Sequence, residues 1–278
     1  MTPSPPLAAE NTGLWEQLAG SRILDLSHPY RVGMPQSPNH PPFRMLLERR
    51  HGDMVRADGG SAANELIVLG GHVGTHVDAL AHVSQDGRVH GGLEASSLQS
   101  HQGFSRLGID AFSPYVGRAV VLDVAALHGV STLEPGLAVT VDDLRAARER
   151  ADVDIRPGDV VLIGTGWSGR WAEKDVFTGQ SGGAPGPDAA AGRWLADLRP
   201  TAVGAETIAF EHIPAGRGHA ELPVHRTMLV EEGVHIIETM NLGSLLESGA
   251  SEFLLVLNPL NVAGATGAPV RPLAVVPA

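Results

Sequence analysis

Residues 72–82 carry the sequence HVGTHVDALAH, in which three histidines and one aspartate fall within eleven positions. The four side chains are His72, His76, Asp78 and His82, and they are separated by even numbers of residues. On a β-strand, residues two apart point to the same face, so an even spacing places all four side chains on one side. Imidazole and carboxylate groups gathered on one face are typical of a metal site.

A straight strand cannot bring these four groups together. At ~3.3 Å per residue it would spread them over ~33 Å, whereas ligands of one ion lie within a few ångströms of each other. A metal site therefore requires the chain to bend, and Gly74 can adopt the backbone angles of a bend. A helix with His72 and His76 one turn apart is disfavoured by Gly74, Thr75 and Val77.

The composition restricts the ligand chemistry. The chain has 278 residues, and none of them is cysteine, which excludes disulfides and thiolate metal sites. Any metal must then bind histidine, aspartate or glutamate. The formal charge of −11 argues against nucleic acid or an anionic membrane as the main partner. The N-terminus does not resemble a signal peptide, and no apolar run reaches the ~18 residues of a membrane helix, so we expect a cytoplasmic protein.

Strands and helices alternate along the chain, which predicts an α/β fold. Thr140 is a predicted N-cap followed by acidic residues, Gly233 is a predicted helix end, and 29–43 is a predicted proline-rich loop. A short helix carrying Leu14, Trp15 and Leu18 on one face precedes the first strand. The predicted strands cover 22–26, 64–78, 117–124, 156–166, 201–209, 234–240 and, as the last clear one, 251–260, and the other predicted helices cover 140–151, 185–198 and 222–233.

Together with three further segments, HVGTHVDALAH resembles the signature of the metal-dependent hydrolases called the putative cyclase family. The three segments are GDVVLIGTGW at 158–167, LPVHRTMLVEEGVHIIETMNL at 222–242 and NPLNVAGATGAPVRPLAV at 258–275. The resemblance extends from about Arg22 to Pro272. It implies a single layered β/β/α domain of the swivelling type with mixed sheets over 22–278, preceded by an N-terminal tail and short helix over 1–21.

The resemblance also implies roles for individual residues. His72, His76 and Asp78 would bind a first divalent metal, zinc or manganese, and His225 would bind a second ion if two are present. Asp78 and Glu238 would bridge the two ions, and His82 would be the general acid and base. These roles agree with the preference of such ions for imidazole and carboxylate ligands.

Other residues are predicted to support the site. Thr75 and Trp167 are candidate substrate-binding residues, and Thr75 is also a candidate for orienting a metal ligand. The segment AETIAFEHIP at 205–214 departs from the aspartate-containing segment of kynurenine formamidases, because Glu206 and Glu211 replace the aspartates. This departure argues against a formamidase specifically.

The resemblance implies hydrolysis of a carbon–nitrogen or ester bond in a small molecule by metal-activated water. Cyclic amides, imides, lactones and N-formyl arylamines are the implied substrates, and a homodimer or homotetramer is the implied assembly. Two alternatives remain open: a metal-dependent cyclase or dehydratase of a biosynthetic pathway, and a metal-containing binding protein without catalysis.

Two other segments match known sequence motifs but lack the structural context that those motifs require. GTGWSG at 164–169 fits the glycine pattern of dinucleotide-binding loops, but Trp167 would crowd a pyrophosphate. GQSGG at 179–183 fits the nucleophile elbow of serine hydrolases, but no apolar strand precedes Ser181. We therefore expect neither a nicotinamide cofactor nor a serine nucleophile.

Overall fold

The computed structural model describes residues 12–180 and 182–278, and Ser181 lies outside them. The helices are α1 Thr12–Ala19, α2 Ala95–Leu98, α3 Val124–Leu127, α4 Val141–Ala151, α5 Lys174–Phe177, α6 Ala189–Asp197, α7 Pro223–His225, which continues as a π-helix over Arg226–Glu232, and α8 Gly243–Ser248. The strands are β1 Ser21–Asp25, β2 Arg44–Arg49, β3 Asn64–Val68, β4 His76–Asp78, β5 Arg88–Val89, β6 Leu93–Glu94, β7 Gln99–Ser100, β8 Gly103–Phe104, β9 Tyr115–Asp123, β10 Ala138–Val139, β11 Val160–Gly164, β12 Gly186–Pro187, β13 Ala202–Ala205, β14 His235–Glu238, β15 Glu252–Leu257, β16 Gly267–Pro269 and β17 Leu273–Pro277.

Nine of the strands form one mixed sheet in the order β1-β17-β15-β9-β11-β13-β14-β4-β16. The four central strands, β9, β11, β13 and β14, are parallel, and the outer pairs are antiparallel. Parallel neighbours need crossover connections, and helices α4 and α6 lie within two of these crossovers. The alternation of strands and helices in the sequence thus produces the predicted α/β class.

Both faces of the sheet are buried, and the period of two along the strands separates two cores. Val120 and Leu122 of β9 belong to one core, which they share with the buried residues of the helices, such as Leu144 of α4. Ala119 and Val121 belong to the other core, which is lined by other parts of the same sheet. Strands buried on both faces consist of continuous apolar residues, as in VVLIG of β11.

The sheet curls so that the segment after β1 reaches the end of β14. The backbone of Leu26, just after β1, donates to Pro272 O near β17 and accepts from Asn241 N just after β14. One core therefore lies between two parts of the curled sheet, and the other lies between the sheet and the helices. This is the β/β/α layering that the sequence resemblance implies.

Several local predictions are confirmed. Thr140 caps α4 in a reciprocal capping box with Asp143, and Gly233 ends the π-helix in a left-handed conformation. The segment 29–43 contains no helix or strand. In GTGWSG, β11 leads into a short 3-10 helix over Trp167–Arg170 rather than the α-helix of a dinucleotide-binding loop.

Several boundaries differ from prediction; the strand predicted over 201–209, for example, ends at Ala205. The strand predicted over 64–78 is divided by a loop at 69–75, because Gly74 has a φ of +66° that a strand does not allow. The helix predicted from 185 begins at Ala189, where the Asp188 side chain caps it. The strand over 251–260 is not the last, since β16 and β17 follow it and pair with distant parts of the sheet. None of the described helices is long and apolar enough to cross a membrane.

Candidate metal centre

Two short antiparallel strands form the floor of the site. His76 of β4 lies directly opposite Glu238 of β14 in the sheet register, and paired residues of this kind point to the same face. The distance from His76 Nε2 to Glu238 Oε2 is 3.3 Å, and that from His76 Nε2 to Asp78 Oδ1 is 3.4 Å. The three side chains are buried, so two carboxylates and an imidazole meet away from solvent.

The loop before β4 returns His72 to the same place. Gly74 provides the bend, and a β-carbon there would lie 2.7 Å from the ring of Tyr30, so the position requires glycine. The Tyr30 hydroxyl is 2.6 Å from Val73 O and 2.8 Å from Thr75 O, which holds the bend from outside. As a result, His72 Nδ1 lies 2.6 Å from Asp78 Oδ1.

A third histidine reaches the site from the helical layer. His225 ends the short helix α7, where the chain passes into a π-helix, a form often found at functional sites. Its Nε2 is 3.1 Å from Glu238 Oε1 and 3.6 Å from Asp78 Oδ2. The structure thus brings together the five residues that the sequence predicts as metal ligands.

Each of these three histidines has its second ring nitrogen held by a hydrogen-bond partner outside the cluster. His72 Nε2 is 2.9 Å from Thr266 Oγ1, His76 Nδ1 is 2.7 Å from the carbonyl oxygen of Gly74, and His225 Nδ1 is 2.7 Å from Glu211 Oε1. A carbonyl or carboxylate oxygen only accepts, so Nδ1 of His76 and of His225 carries a proton. Their Nε2 atoms then face the carboxylates, as in histidines that ligate metals.

The electrostatics of the site favour a bound cation. Burial alone would lower the pKa of His76, but the nearby carboxylates of Asp78 and Glu238 raise it to about 10. Burial would also lower the pKa of His225, but Glu211 and Glu238 raise it well above its usual value. Burial would likewise raise the pKa of Asp78, but the surrounding imidazoles hold it well below its usual value. The carboxylates therefore draw positive charge into the site.

Three buried atoms support the same conclusion. His76 Nε2, Asp78 Oδ2 and Glu238 Oε1 have no hydrogen-bond partner, although buried polar atoms are normally paired. Within the described residues, every ion pair of Asp78 and Glu238 is with a histidine, never with an arginine or lysine. Two groups of side chains have ligand atoms within 4.8 Å of one another, and Asp78 belongs to both: His72, Asp78 and His82, and His76, Asp78 and Glu238. A divalent cation fits this donor set.

Comparison with known proteins agrees with this geometry. The model of the Putative cyclase family matches residues 24–212. The chain belongs to this family. An isatin hydrolase from Roseibium aggregatum is 27% identical over 227 residues, which is 80% of this chain and 78% of that protein.

Solved structures share the fold of this chain. A structure described as a novel cyclase superposes with a TM-score of 0.83 at 26% identity and covers 96% of this chain and 93% of its own. A predicted metal-dependent hydrolase from Bacillus stearothermophilus has a TM-score of 0.61 at 25% identity, covering 92% and 98%. Isatin hydrolase A from Ralstonia solanacearum has a TM-score of 0.75 at 23% identity, covering 99% and 100%, and shows the likeness in fold.

In this cyclase-family protein, His82 lies beside the metal cluster. Its ring is stacked on that of His72 with centroids 3.8 Å apart, and it is half-buried. Burial lowers the pKa of His82 to about 3, against the attraction of Asp78. The His82 imidazole is therefore neutral at pH 7 in the absence of metal. The role of His82 as acid and base stays a prediction.

The two predicted substrate-binding residues, Thr75 and Trp167, form hydrogen bonds within the protein. Trp167 is fully buried, and its indole N–H donates to Phe177 O, so it does not face a ligand in this structure. The Thr75 hydroxyl donates to Thr239 O and accepts from His28 N. Thr75 thereby ties β4 to the end of β14, which agrees with an orienting role rather than with substrate contact.

Three residues that the structure places at the site, Glu211, His40 and His219, are not among the predicted site residues. Glu211 accepts from His225, as described above. His40, in the 29–43 loop, has its ring 5.2 Å from that of His72. His219 is half-buried in an otherwise exposed segment, and burial lowers its pKa while nearby Glu238 opposes the shift. Neither histidine belongs to the motifs, and only the folding of two loops brings them to the site.

Proposed function

We propose that this protein is a metal-dependent hydrolase that cleaves a carbon–nitrogen or ester bond of a small molecule. The observation that carries the proposal is the arrangement of three histidines, each anchored at its outer nitrogen, around two buried carboxylates. The family relationship adds support, because hydrolases are among the relatives that the chain matches over most of its length.

We propose a cyclic amide as the first substrate class to test. One relative is an isatin hydrolase, and another solved isatin hydrolase holds a product analogue, thioisatinate. The aromatic side chain of Trp171 is half-buried between two apolar clusters, and its face stacks on His28 at 3.9 Å. The face of Trp171 that does not contact His28 would suit a flat ring. Imides, lactones and N-formyl arylamines follow in the panel.

We propose two positions for divalent ions, zinc or manganese, of which the second is filled only if two ions bind. His72, His76 and Asp78 would hold the first ion, and His225 would hold a second, with Asp78 and Glu238 shared between them. A divalent ion held there would polarise the substrate carbonyl and lower the pKa of a bound water.

The remaining groups would handle protons and orientation. His82 would accept a proton from the attacking water at a ring nitrogen and deliver it to the leaving nitrogen or oxygen. His40 and His219, on separate loops beside the cluster, would contact polar atoms of the substrate. The Thr75 bridge between the two strands would keep His76 and Glu238 in register.

The test begins with elemental analysis of protein purified without added metal or chelator. About one or two zinc or manganese ions per chain are expected in the wild type, and His76→Ala should lose them. His128→Ala is the matched control, because His128 pairs with Asp143 away from the site and its loss should leave the metal content unchanged. Absence of metal in the wild type, with no uptake from solution, would contradict the proposal.

Turnover separates catalysis from binding. His82→Ala should retain the ions yet lose at least about 100-fold in kcat, the usual contribution of general acid–base catalysis. If His82→Ala turns over substrate as fast as the wild type, His82 is not the acid and base. If the wild type binds one ion per chain and His225→Ala also binds one, the site has only the position at His72, His76 and Asp78.

A further inference from the structure

Two residues next to buried carboxylates of the metal centre have a strained backbone. Within the described residues, six residues other than glycine have a positive φ, namely Asp86, Leu107, Asp152, Arg199, Phe210 and Thr239. Only Phe210 and Thr239 of these six are fully buried. Phe210 directly precedes Glu211, and Thr239 directly follows Glu238. A positive φ is unfavourable for a bulky or β-branched side chain, and strain of this kind is concentrated at functional sites.

Thr239 lies where the two strands of the metal centre separate. The pairing of β4 with β14 ends at His76 and Glu238. Gly74 bends the chain before β4 with a φ of +66°, which glycine adopts without strain. Thr239 bends the chain after β14 with a φ of +55°, which threonine avoids. Its own hydroxyl does not compensate, because Oγ1 is buried without a hydrogen-bond partner.

Hydrogen bonds to its backbone hold Thr239 in this conformation. Its N–H donates to Thr207 O at 3.0 Å, and its carbonyl oxygen accepts from Thr75 Oγ1 at 2.6 Å. All three threonines are fully buried, so water does not compete for these bonds. Thr75 and Thr239 are the neighbours of His76 and Glu238 in sequence. The Thr75 hydroxyl therefore joins the two strands at the position where their backbone pairing stops.

The charges of the site explain why Glu238 needs this restraint. Asp78 and Glu238 are both buried, and both lie within 3.4 Å of His76 Nε2. Two carboxylates brought together in this way repel each other when no cation lies between them. Without a restraint at the end of β14, the repulsion would turn Glu238 away from Asp78.

We propose that Thr239 is a positioning residue whose left-handed backbone, held by Thr75, directs Glu238 toward the metal centre. The inference rests on the proposed function in one respect, that Glu238 is a metal ligand. A change of φ at Thr239 would break its hydrogen bond to Thr75 and move the end of β14. The strain lowers the stability of the fold and keeps Glu238 opposite His76 before a cation binds.

The variants Thr239→Gly and Thr239→Ala test the backbone conformation. At most positions glycine is less stabilising than alanine, because it loses more conformational freedom on folding. At a left-handed position the order is reversed, so in the presence of a chelator Thr239→Gly should have a Tm at least about 2 °C above that of Thr239→Ala. A Thr239→Ala variant that is as stable as Thr239→Gly would overturn the proposal.

A cycle of two substitutions tests the restraint by Thr75. Thr75→Val keeps the shape of the side chain but removes the hydroxyl, and it should weaken metal binding at least about 10-fold in competition with a chromogenic chelator. Thr75→Ser keeps the hydroxyl and should bind metal as the wild type does. Glycine adopts the left-handed conformation without a restraint, so Thr239→Gly added to Thr75→Val should restore at least about threefold of the lost affinity. No recovery in the double variant would overturn the proposal.

Arg199→Gly is the matched control. Arg199 has a φ of +54°, but it is exposed and follows α6, so glycine there relieves strain away from the site. Arg199→Gly should not restore metal affinity to Thr75→Val, and a recovery equal to that given by Thr239→Gly would contradict the proposal. None of these measurements uses a substrate, so protein that binds metal without hydrolysis would contradict the proposed function alone. If the wild type binds no metal, or if Thr75→Val does not fold, the order of the two Tm values for the Thr239 variants decides the inference.

Discussion

Replacement of Glu211 by glutamine tests how the site is built. Glu211 is fully buried and holds His225 twice: Oε1 accepts from the His225 backbone N at 2.8 Å and from Nδ1 at 2.7 Å, while Oε2 accepts from Val224 N at 3.0 Å. All three partners are donors, so the amide group of Glu211→Gln must face at least one donor with its own N–H. The variant therefore leaves a buried donor unpaired and removes the negative charge beside His225.

The expected size of the effect follows from these contacts. Loss of the outer partner of a metal-ligating histidine lowers metal affinity by about 10- to 100-fold, which equals ~1.4–2.8 kcal/mol. The unpaired buried donor should also lower the free energy of unfolding by about 1–3 kcal/mol. The ion held with His225 should be the one affected, while the position at His72 and His76 keeps its affinity.

Glu206→Gln is the matched control. Glu206 is equally buried, but it accepts from Thr165 and Ser168 rather than from a site histidine. Both variants should lose stability in urea unfolding, yet only Glu211→Gln should bind metal more weakly in competition with a chromogenic chelator. Equal metal affinity in the two variants would refute the positioning role of Glu211.

Three further predictions concern the bend, the protons and a helix end. Gly74→Ala should lower the Tm by about 3–6 °C and weaken metal binding, because a left-handed alanine costs ~1–2 kcal/mol and its β-carbon would meet the Tyr30 ring; an unchanged Tm in calorimetry would contradict this. Metal binding at pH 7 should release protons, since the raised pKa values of His76 and His225 keep both imidazoles protonated without metal. Metal affinity should therefore fall as the pH is lowered. Titration calorimetry in buffers of different ionisation enthalpy should report the release of protons, whereas equal binding heats in all buffers would exclude it. Thr140→Ala should reduce the free energy of unfolding by about 1 kcal/mol through loss of the capping box, with metal content unchanged; a change in metal content would show that α4 affects the site.

Much of the local structure follows from the sequence because the signals are local. The apolar run of β11, the N-cap Thr140 and the left-handed Gly233 depend only on neighbouring residues, and all three are confirmed. Strand pairing is different, since it depends on residues far apart. The pairing of β16 with β4 joins segments almost 200 residues apart, and the short β16 has no periodicity that would reveal it.

The sequence by itself determined the chemistry of the candidate site. With no cysteine, HVGTHVDALAH and the segment from His225 to Glu238 supply the imidazoles and carboxylates that suit a divalent ion. Only the tertiary structure decided which further groups join them. Glu211 reaches His225 because a loop after β13 packs under α7, and the exposure of the β2–β3 hairpin is a property of the folded surface. Spacing along a chain records local geometry, whereas burial and contact between distant segments arise only when the sheet forms and curls.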